Sequence, residues 1–318
     1  MTGVQKAKVD VSIGPDQRAD AAASSVLRRL LTVAADNVDG AIAGDDIEYL
    51  HQLRIAVRRS RTVQRQLRTV FPAVELPGFR SDFRWLQRAT GEARDLDVYV
   101  NEFGSLAQLL PEALRDDLAP MRQVLIEHQL AARGGLELTL RSRRTGELMD
   151  DWERLLESLV ELPLEDRPGA TRTIADLCGE RIANVYRRIV AMGEEITDAS
   201  PAEEFHELRK VGKELRYLLE LFGVQLFDAD VVGPLIDSLK DLQELLGRHQ
   251  DREVQVVMVR SLTGEVAPRP DGGAACLAMG TLVARLRDDE LAARREFAEP
   301  FAELASVRQR DAVTETFG

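Results

Sequence analysis

The segment HQLRIAVRRSRTVQRQLRTVF, residues 51–71, contains six arginines, one histidine and no acidic residue, in a chain of 318 residues with a formal net charge of −12. Its basic residues recur every three or four positions, so a helix would place them within a sector of about 100°. This basic ridge consists of His51, Arg54, Arg58, Arg61, Arg65 and Arg68. The opposite face carries Leu53, Ala56, Val57, Val63, Leu67, Val70 and Phe71. The pattern predicts an amphipathic helix with one face buried.

A related segment, HELRKVGKELR, occupies residues 206–216 and repeats the basic spacing. Its basic positions are His206, Arg209, Lys213 and Arg216, and its apolar positions are Leu208, Val211, Leu215, Leu218, Leu219 and Phe222. Further downstream, RWLQRATGEARDLDV (84–98) matches KDLQELLGRHQDREV (240–254). The second copy is more acidic, because Glu214 and Glu220 replace Arg59 and Arg65 of the first. The repeat predicts two related helical bundles on either side of LPLEDRPGA, residues 162–170.

The rest of the chain also favours helices. Aromatic residues make up only 5% of a composition that is 44% hydrophobic, and Ala, Leu, Arg and Glu dominate. We therefore predict an all-α fold, with bundles over residues 16–161 and 170–307. The expected helices are 16–37, 46–70, 79–103, 111–133, 147–161, 172–196, 202–227, 231–246, 251–262 and 274–307. Residues 1–15 are expected to form a flexible N-terminal tail, and residues 308–318 a C-terminal tail.

The basic ridge requires something to compensate its charge. Like charges at i,i+4 destabilise a helix by about 0.2–0.5 kcal/mol per pair, and an ordinary solvated helix face mixes charges of both signs. Carboxylates of neighbouring helices are one possible compensator, since the chain has 54 acidic residues. A bound polyanion is the other, because the ridge repeats its charge on every helical turn of about 5.4 Å. Composition leaves both open.

Four motifs in order resemble the two halves of a CHAD domain. They are HQLRIAVRRSR (51–61), GEARDLDV (91–98), HELRKVGKELRYLLELF (206–222) and LQELLGRHQD (242–251). The resemblance extends over residues 16–307. It implies two pseudo-symmetric four-helix bundles that form a single domain, with a basic groove or pore between them that binds inorganic polyphosphate.

The resemblance also implies which residues contact the polyanion. They are His51, Arg54, Arg58, Arg59, Arg61, Arg65, Arg84, His206, Arg209, Lys213, Arg216 and Lys240. Further candidates are Arg28, Arg68, Arg88 and Lys210. We expect the second half to bind anions more weakly, because Glu214 and Glu220 lie in it. No catalytic residue, cofactor or metal site is expected.

Other functions have less support in the sequence. No GxxxxGK[ST], GxGxxG, HExxH or GxSxG motif occurs. Many such domains accompany a CYTH (triphosphate tunnel) domain with the motif ExExK, which is absent here, so we expect a binding module that is not an enzyme. The alternative is a phosphohydrolase or phosphotransferase that uses the same ridge. Nucleic acid is a less favoured partner, because no aromatic residues alternate with the arginines to stack on bases.

The sequence also bears on location. The first ten residues, MTGVQKAKVD, lack the apolar region of a secretory signal, and the longest uncharged stretch, Gly272–Ala284, is shorter than the roughly 18 residues that a membrane span needs. Cys178 and Cys276 lie far apart and lack the spacing of a disulfide framework or zinc site. We expect a cytoplasmic protein with no membrane partner, associated with polyphosphate granules or polyphosphate-metabolising enzymes.

Overall fold

The computed structural model describes residues 3–197 and 199–318, and most of these residues lie in helices. The described residues contain no β-strand, only an isolated bridge between Arg18 and Thr173. The all-α prediction is confirmed. No helix in this part of the chain is long and apolar enough to cross a membrane.

The α-helices in chain order are α1 (Ala19–Asp36), α2 (Val38–Ala43), α3 (Ile47–Gln66), α4 (Leu76–Ala89), α5 (Gly91–Asn101), α6 (Phe103–Ala107), α7 (Ala119–Leu140), α8 (Arg143–Ser158), α9 (Ile174–Glu194), α10 (Ala202–Leu218), α11 (Val224–Leu226), α12 (Ala229–Ser261), α13 (Thr263–Val266), α14 (Gly272–Arg295), α15 (Ala298–Leu304) and α16 (Val307–Phe317). A π-helical segment, Leu219–Gly223, joins α10 to α11. Short 3₁₀ segments occur at Arg68–Val70, Glu112–Leu114 and Asp116–Leu118.

The two repeated segments form the amphipathic helices that their spacing predicts. Helix α3 begins after Asp46, whose carboxylate accepts a hydrogen bond from the backbone N–H of Glu48 at 2.8 Å. Every apolar position predicted for its inner face is at most 1% exposed. The apolar positions of α10 and the adjoining π-helical segment are at most 2% exposed. Both helices therefore bury one side and leave the basic side free to line a site.

The apolar interior does not divide at the predicted boundary between the bundles. The larger core contains Leu30 and Trp152 from the first half together with Ile182 and Leu242 from the second. A smaller core likewise joins residues 96–125 to residues 256–286. The halves therefore share both cores and do not fold around separate ones. Their pseudo-symmetry stays a prediction.

The segment between the predicted bundles is anchored by a buried charge. Arg167 is only 1% exposed. Its Nη2 lies 2.9 Å from Oδ2 of buried Asp20, and its Nε donates to the carbonyl of Val70 at 2.9 Å. A buried arginine with a carboxylate and a carbonyl as partners fixes this connection against the first half.

The two segments predicted as tails both contact the rest of the chain in the residues described. The backbone N–H of Ala7 donates to Gln52 Oε1 at 2.7 Å, and Ala7 and Ile13 are buried, whereas residues 1 and 2 lie outside the described part. At the other end, residues 307–317 form α16, and the ring of Phe317 packs edge-on against Phe227 with centroids 4.7 Å apart. Apolar residues in both segments complete the core, and this holds the segments in place.

Several helix boundaries also differ from the prediction. The expected helix 79–103 is divided into α4 and α5, and the expected helix 111–133 lies at Ala119–Leu140. The expected helices 231–246 and 251–262 form one continuous helix, α12, because the intervening residues include an isolated glycine but no proline. The expected helix 274–307 is instead divided into α14, α15 and α16. Ser306 starts the last of these by accepting a hydrogen bond from the backbone N–H of Gln309 at 3.3 Å.

Candidate functional site

A cavity of about 330 Å³ lies where α3 and α4 of the first half face α10 and α12 of the second. We call it the basic cavity. It is lined by Arg58, Arg61, Thr62, Gln64 and Arg65 of α3, by Arg80, Arg84 and Gln87 of α4, by His206, Arg209, Lys210, Lys213, Glu214 and Tyr217 of α10, and by Gln250 of α12. Eight of these side chains are arginine or lysine, against a single carboxylate. An acidic chain thus has a locally basic concave surface.

The helical spacing of each wall explains why the cations converge. Arg58, Arg61 and Arg65 lie on successive turns of α3, opposite its buried face. Arg80 and Arg84 are one turn apart on α4 and form a second row. The second half contributes a third row from α10. The sequence predicted eight of the lining residues, namely Arg58, Arg61, Arg65, Arg84, His206, Arg209, Lys210 and Lys213.

Several cations of the basic cavity have no carboxylate within 4.0 Å among the residues that the structure describes. They are Arg58, Arg61, Arg80, Arg84 and Lys213. Burial lowers the pKa of Arg61, and the charges of neighbouring arginines, Arg84 first, lower it further. Positive charges held this close without counterions repel one another, so an anion that enters the cavity relieves the repulsion.

Lys213 is the most perturbed of these cations. Burial, assisted by the charges of Arg209, Arg58 and Arg216, lowers the pKa of its amine to about 7. The carboxylate of Asp251 opposes this shift only in part. The amine is consequently divided between its charged and neutral forms near neutral pH.

Two other arginines of α3, Arg65 and Arg59, are paired with the two acids of the second copy. Arg65 contacts Glu214 at 2.7 Å (Nη2–Oε2) and 3.0 Å (Nε–Oε1). Arg59 forms an ion pair with Glu220, which also lies 3.2 Å from Nε of Arg216. Arg59 and Arg216 are not among the residues that line the cavity. Carboxylates therefore compensate part of the ridge and leave Arg58 and Arg61 uncompensated.

Arg54 does not line the cavity and instead binds the C-terminal end of α4. Its Nη1 donates to the carbonyl of Gln87 at 2.7 Å and to Thr90 Oγ1 at 2.8 Å. Burial, together with the charge of Arg58, lowers its pKa to about 10. The guanidinium therefore donates to a carbonyl and a hydroxyl at the C-terminal end of α4, where backbone carbonyls run short of helical donors.

A contact between arginine and glycine recurs in the second copy. A Cβ at Gly91 would lie 3.8 Å from the guanidinium of Arg54, and a Cβ at Gly247 would lie 3.2 Å from that of Arg209. The residues occupy matching positions of the two repeated motifs. The absence of a side chain lets each guanidinium lie against the neighbouring helix.

The remaining predicted residues lie outside the basic cavity. Burial and the charge of Arg94 lower the pKa of His51 and favour its neutral form. Lys240 pairs with Asp237 at 2.9 Å. Arg28 lies 3.5 Å from Glu157, and Arg68 and Arg88 are exposed. Contact of these residues with a ligand stays a prediction.

Sequence reasoning missed seven of the fifteen lining residues, among them Arg80 and Gln64. Arg80 lies one turn before Arg84, so the i,i+4 spacing was an available signal. Gln64 is fully buried, and neither Oε1 nor Nε2 has a hydrogen-bond partner among the described residues. An unpaired buried amide costs about 1–3 kcal/mol, which a hydrogen bond to a ligand or water would offset.

Comparisons with known proteins agree with this architecture. The model of the CHAD domain family matches residues 25–260. The uncharacterized Mycobacterium tuberculosis proteins MT2285 (strain CDC 1551) and Rv2226 (strain H37Rv) are each 28% identical to the chain over 222 residues. The alignment covers 68% of this chain but only 40% of each relative. The chain thus spans less than half the length of these two proteins.

Two solved structures share the fold. The CHAD domain from the plant Ricinus communis has a TM-score of 0.75 at 25% sequence identity, with 96% of this chain and 97% of that chain covered. PptA from Streptomyces chartreusis has a TM-score of 0.69 at 18% identity, with coverage of 90% and 99%; at that identity the likeness shows the fold alone. The family model covers most of the chain, and the chain belongs to the CHAD domain family.

Proposed function

We propose that the chain binds inorganic polyphosphate in the basic cavity. The observation that carries this proposal is the set of lining cations without carboxylate partners, among them Arg58, Arg61 and Lys213. Arginine forks donate paired hydrogen bonds to phosphoryl oxygens and stay charged at every physiological pH. The resemblance to CHAD domains points to the same ligand.

The arrangement of the cations favours a chain of anions over a single one. Arg58, Arg61 and Arg65 are spaced along α3, and Arg80 and Arg84 repeat at one-turn intervals along α4. A ligand with negative charges along its length can contact successive turns, which are about 5.4 Å apart. The cavity volume of about 330 Å³ is at the lower end for small-ligand sites, so we propose that a short stretch of the polymer lies inside it.

We propose binding without turnover. Glu214 is the only carboxylate of the described residues that lines the cavity, and both of its oxygens are engaged by Arg65. A carboxylate held in this way is poorly suited to activate a water molecule. In the cell, a binding module of this kind would place the chain in the cytoplasm at polyphosphate granules. Co-localisation of a fluorescent fusion with stained granules tests that part.

Titration with long-chain polyphosphate at several salt concentrations tests the binding. We expect affinity to fall steeply with salt, because each neutralised phosphate releases a counterion. The variant R58E/R61E should lose binding with unchanged helicity and melting, since both residues lie on the polar face of α3. The matched control is R122E/R260E, which makes the same change in net charge at exposed positions outside the cavity.

The outcomes separate the alternatives. Equal loss of binding in both double variants would show that overall charge, not the cavity, governs affinity. Unfolding of R58E/R61E would show that the ridge is structural. Shortening of polyphosphate during incubation with divalent metal would establish turnover. Displacement by single-stranded DNA at equal charge concentration would favour nucleic acid as the partner.

A further inference from the structure

The chain has only five lysines, and Lys213 differs from Lys210 and Lys240 in its surroundings. Lys210 and Lys240 are exposed, and their amines pair with Glu207 at 2.6 Å and with Asp237 at 2.9 Å. Lys213 is partly buried in the wall of the basic cavity, and its amine has no carboxylate within 4.0 Å among the described residues. It is therefore a nucleophilic group that faces an anion site.

The charges around Lys213 favour its neutral amine. Arg58 faces it from α3, and Arg209 and Arg216 lie on its own helix. Among the described residues, Asp251 of α12 is an acid whose charge opposes this shift, and this carboxylate lies 3.9 Å from Arg209. Burial and the three guanidinium groups lower the pKa of the amine, and the carboxylate that it shares with Arg209 raises it. The result is a pKa of about 7. A desolvated lysine beside cationic groups is the usual form of an activated amine nucleophile.

We propose that Lys213 is a covalent modification site that is acylated by small acyl phosphates bound in the basic cavity. This inference rests on the proposed anion binding, because the arginines must hold the phosphoryl group of the reagent. They would also stabilise the charge that develops on the leaving phosphate.

The reaction needs no further reactant. The neutral amine attacks the carbonyl carbon, and a C–N bond forms. The bond between that carbon and the bridging phosphate oxygen breaks, and inorganic phosphate leaves with the electron pair. The amine gives up one proton to phosphate or solvent. The product is an amide, which has lost the positive charge of the lysine and occupies more of the cavity, so acylation should weaken polyanion binding.

The test is to incubate the full chain with acetyl phosphate at pH 7.5 and to quantify acetylation of each lysine by mass spectrometry. We expect Lys213 to react at least about tenfold faster than Lys210 or Lys240. Tripolyphosphate should suppress the reaction at Lys213 and leave the other two unchanged. A parallel reaction with the uncharged ester N-acetoxysuccinimide measures amine reactivity without any need for anion binding. The K213R chain is the control for assignment of the modified peptide.

The two reagents distinguish failure of this inference from failure of the proposed function. If polyphosphate binds but Lys213 reacts no faster than Lys210 with either reagent, the modification site is refuted and the binding function stands. If Lys213 reacts fastest with the ester but not with acetyl phosphate, and tripolyphosphate gives no protection, acylation by bound acyl phosphates is refuted together with anion binding in the cavity. If the acetylated chain binds polyphosphate at least about threefold more weakly, the modification also controls the site.

Discussion

Arg65 of α3 and Glu214 of α10 form a two-point ion pair across the basic cavity, with Nη2–Oε2 and Nε–Oε1 distances of 2.7 and 3.0 Å. Glu214 is only 4% exposed and is the one carboxylate that lines the cavity in the part of the chain that the structure describes. Burial raises its pKa, although the charge of Arg65 opposes the shift. The pair joins the two halves and at the same time withholds one arginine from any anion in the cavity.

Replacement of that carboxylate should strengthen polyanion binding. In E214Q, Arg65 is released from its ion pair and the repulsion between carboxylate and phosphate is removed, so we expect affinity to rise by about threefold or more. Polyphosphate titration measures this. The control E147Q removes an exposed acid paired with Arg143 and should leave affinity unchanged. Weaker binding by E214Q would show that the ion pair positions the site.

Binding should become weaker as pH rises above neutrality. In the free chain the pKa of Lys213 is about 7, below its ordinary value of 10.5. A bound polyphosphate favours the charged amine and raises its pKa. Binding therefore takes up a proton at any pH between the pKa of the free chain and the higher pKa of the complex. Affinity should then fall by up to about tenfold per pH unit from pH 7 to pH 9.

Calorimetric titrations at pH 8 in two buffers with different heats of protonation measure the proton uptake directly. The matched variant is K213R, whose guanidinium stays charged over this range. We expect proton uptake to disappear in that variant. Uptake that persists in K213R would assign the proton to another group.

Substitution of Arg54 should affect stability, whereas substitution of Arg58 should affect polyphosphate binding. Arg54 donates to Gln87 and Thr90, so R54M leaves a helix end unsatisfied and should lower the free energy of unfolding by about 1–3 kcal/mol. R58M removes an unpaired cation of the cavity, so it should weaken polyphosphate binding without loss of stability. Urea denaturation and ligand titration of both variants check this. The prediction fails if R58M is the less stable of the two.

Two glycines give opposite predictions for stability. A Cβ at Gly193 would overlap the ring of Phe301, so G193A should disturb the contact between α9 and α15 and lower the melting temperature. Gly280 lies exposed within α14, with no atom within 4 Å of such a Cβ. G280A should therefore stabilise the chain by about 0.5–1 kcal/mol. Equal effects in thermal denaturation would contradict the packing at Gly193.

The helical periodicity of apolar and basic residues predicted the fold well. The 3.6-residue spacing of α3 and α10 assigned apolar residues such as Leu53 and Leu215 to faces that proved to be buried. The period could not show that residues 308–318 continue as a helix, because they are held by packing against residues distant in sequence, such as Phe227. Nor could it show that residues 231–262 form one helix, since the local signals at Gly247 were ambiguous.

The sequence by itself determined the helical class, the amphipathic basic ridge and its less basic second copy, because side-chain direction in a helix follows from position alone. Only the tertiary structure decided which cations lack partners. Arg58 and Arg59 are neighbours on one helix, yet Arg58 lines the basic cavity and Arg59 pairs with Glu220, which lies 161 positions away. Arg80 lines the basic cavity because α4 lies beside α3. Electrostatic pairing depends on distances between helices, and these are set by packing of the shared core.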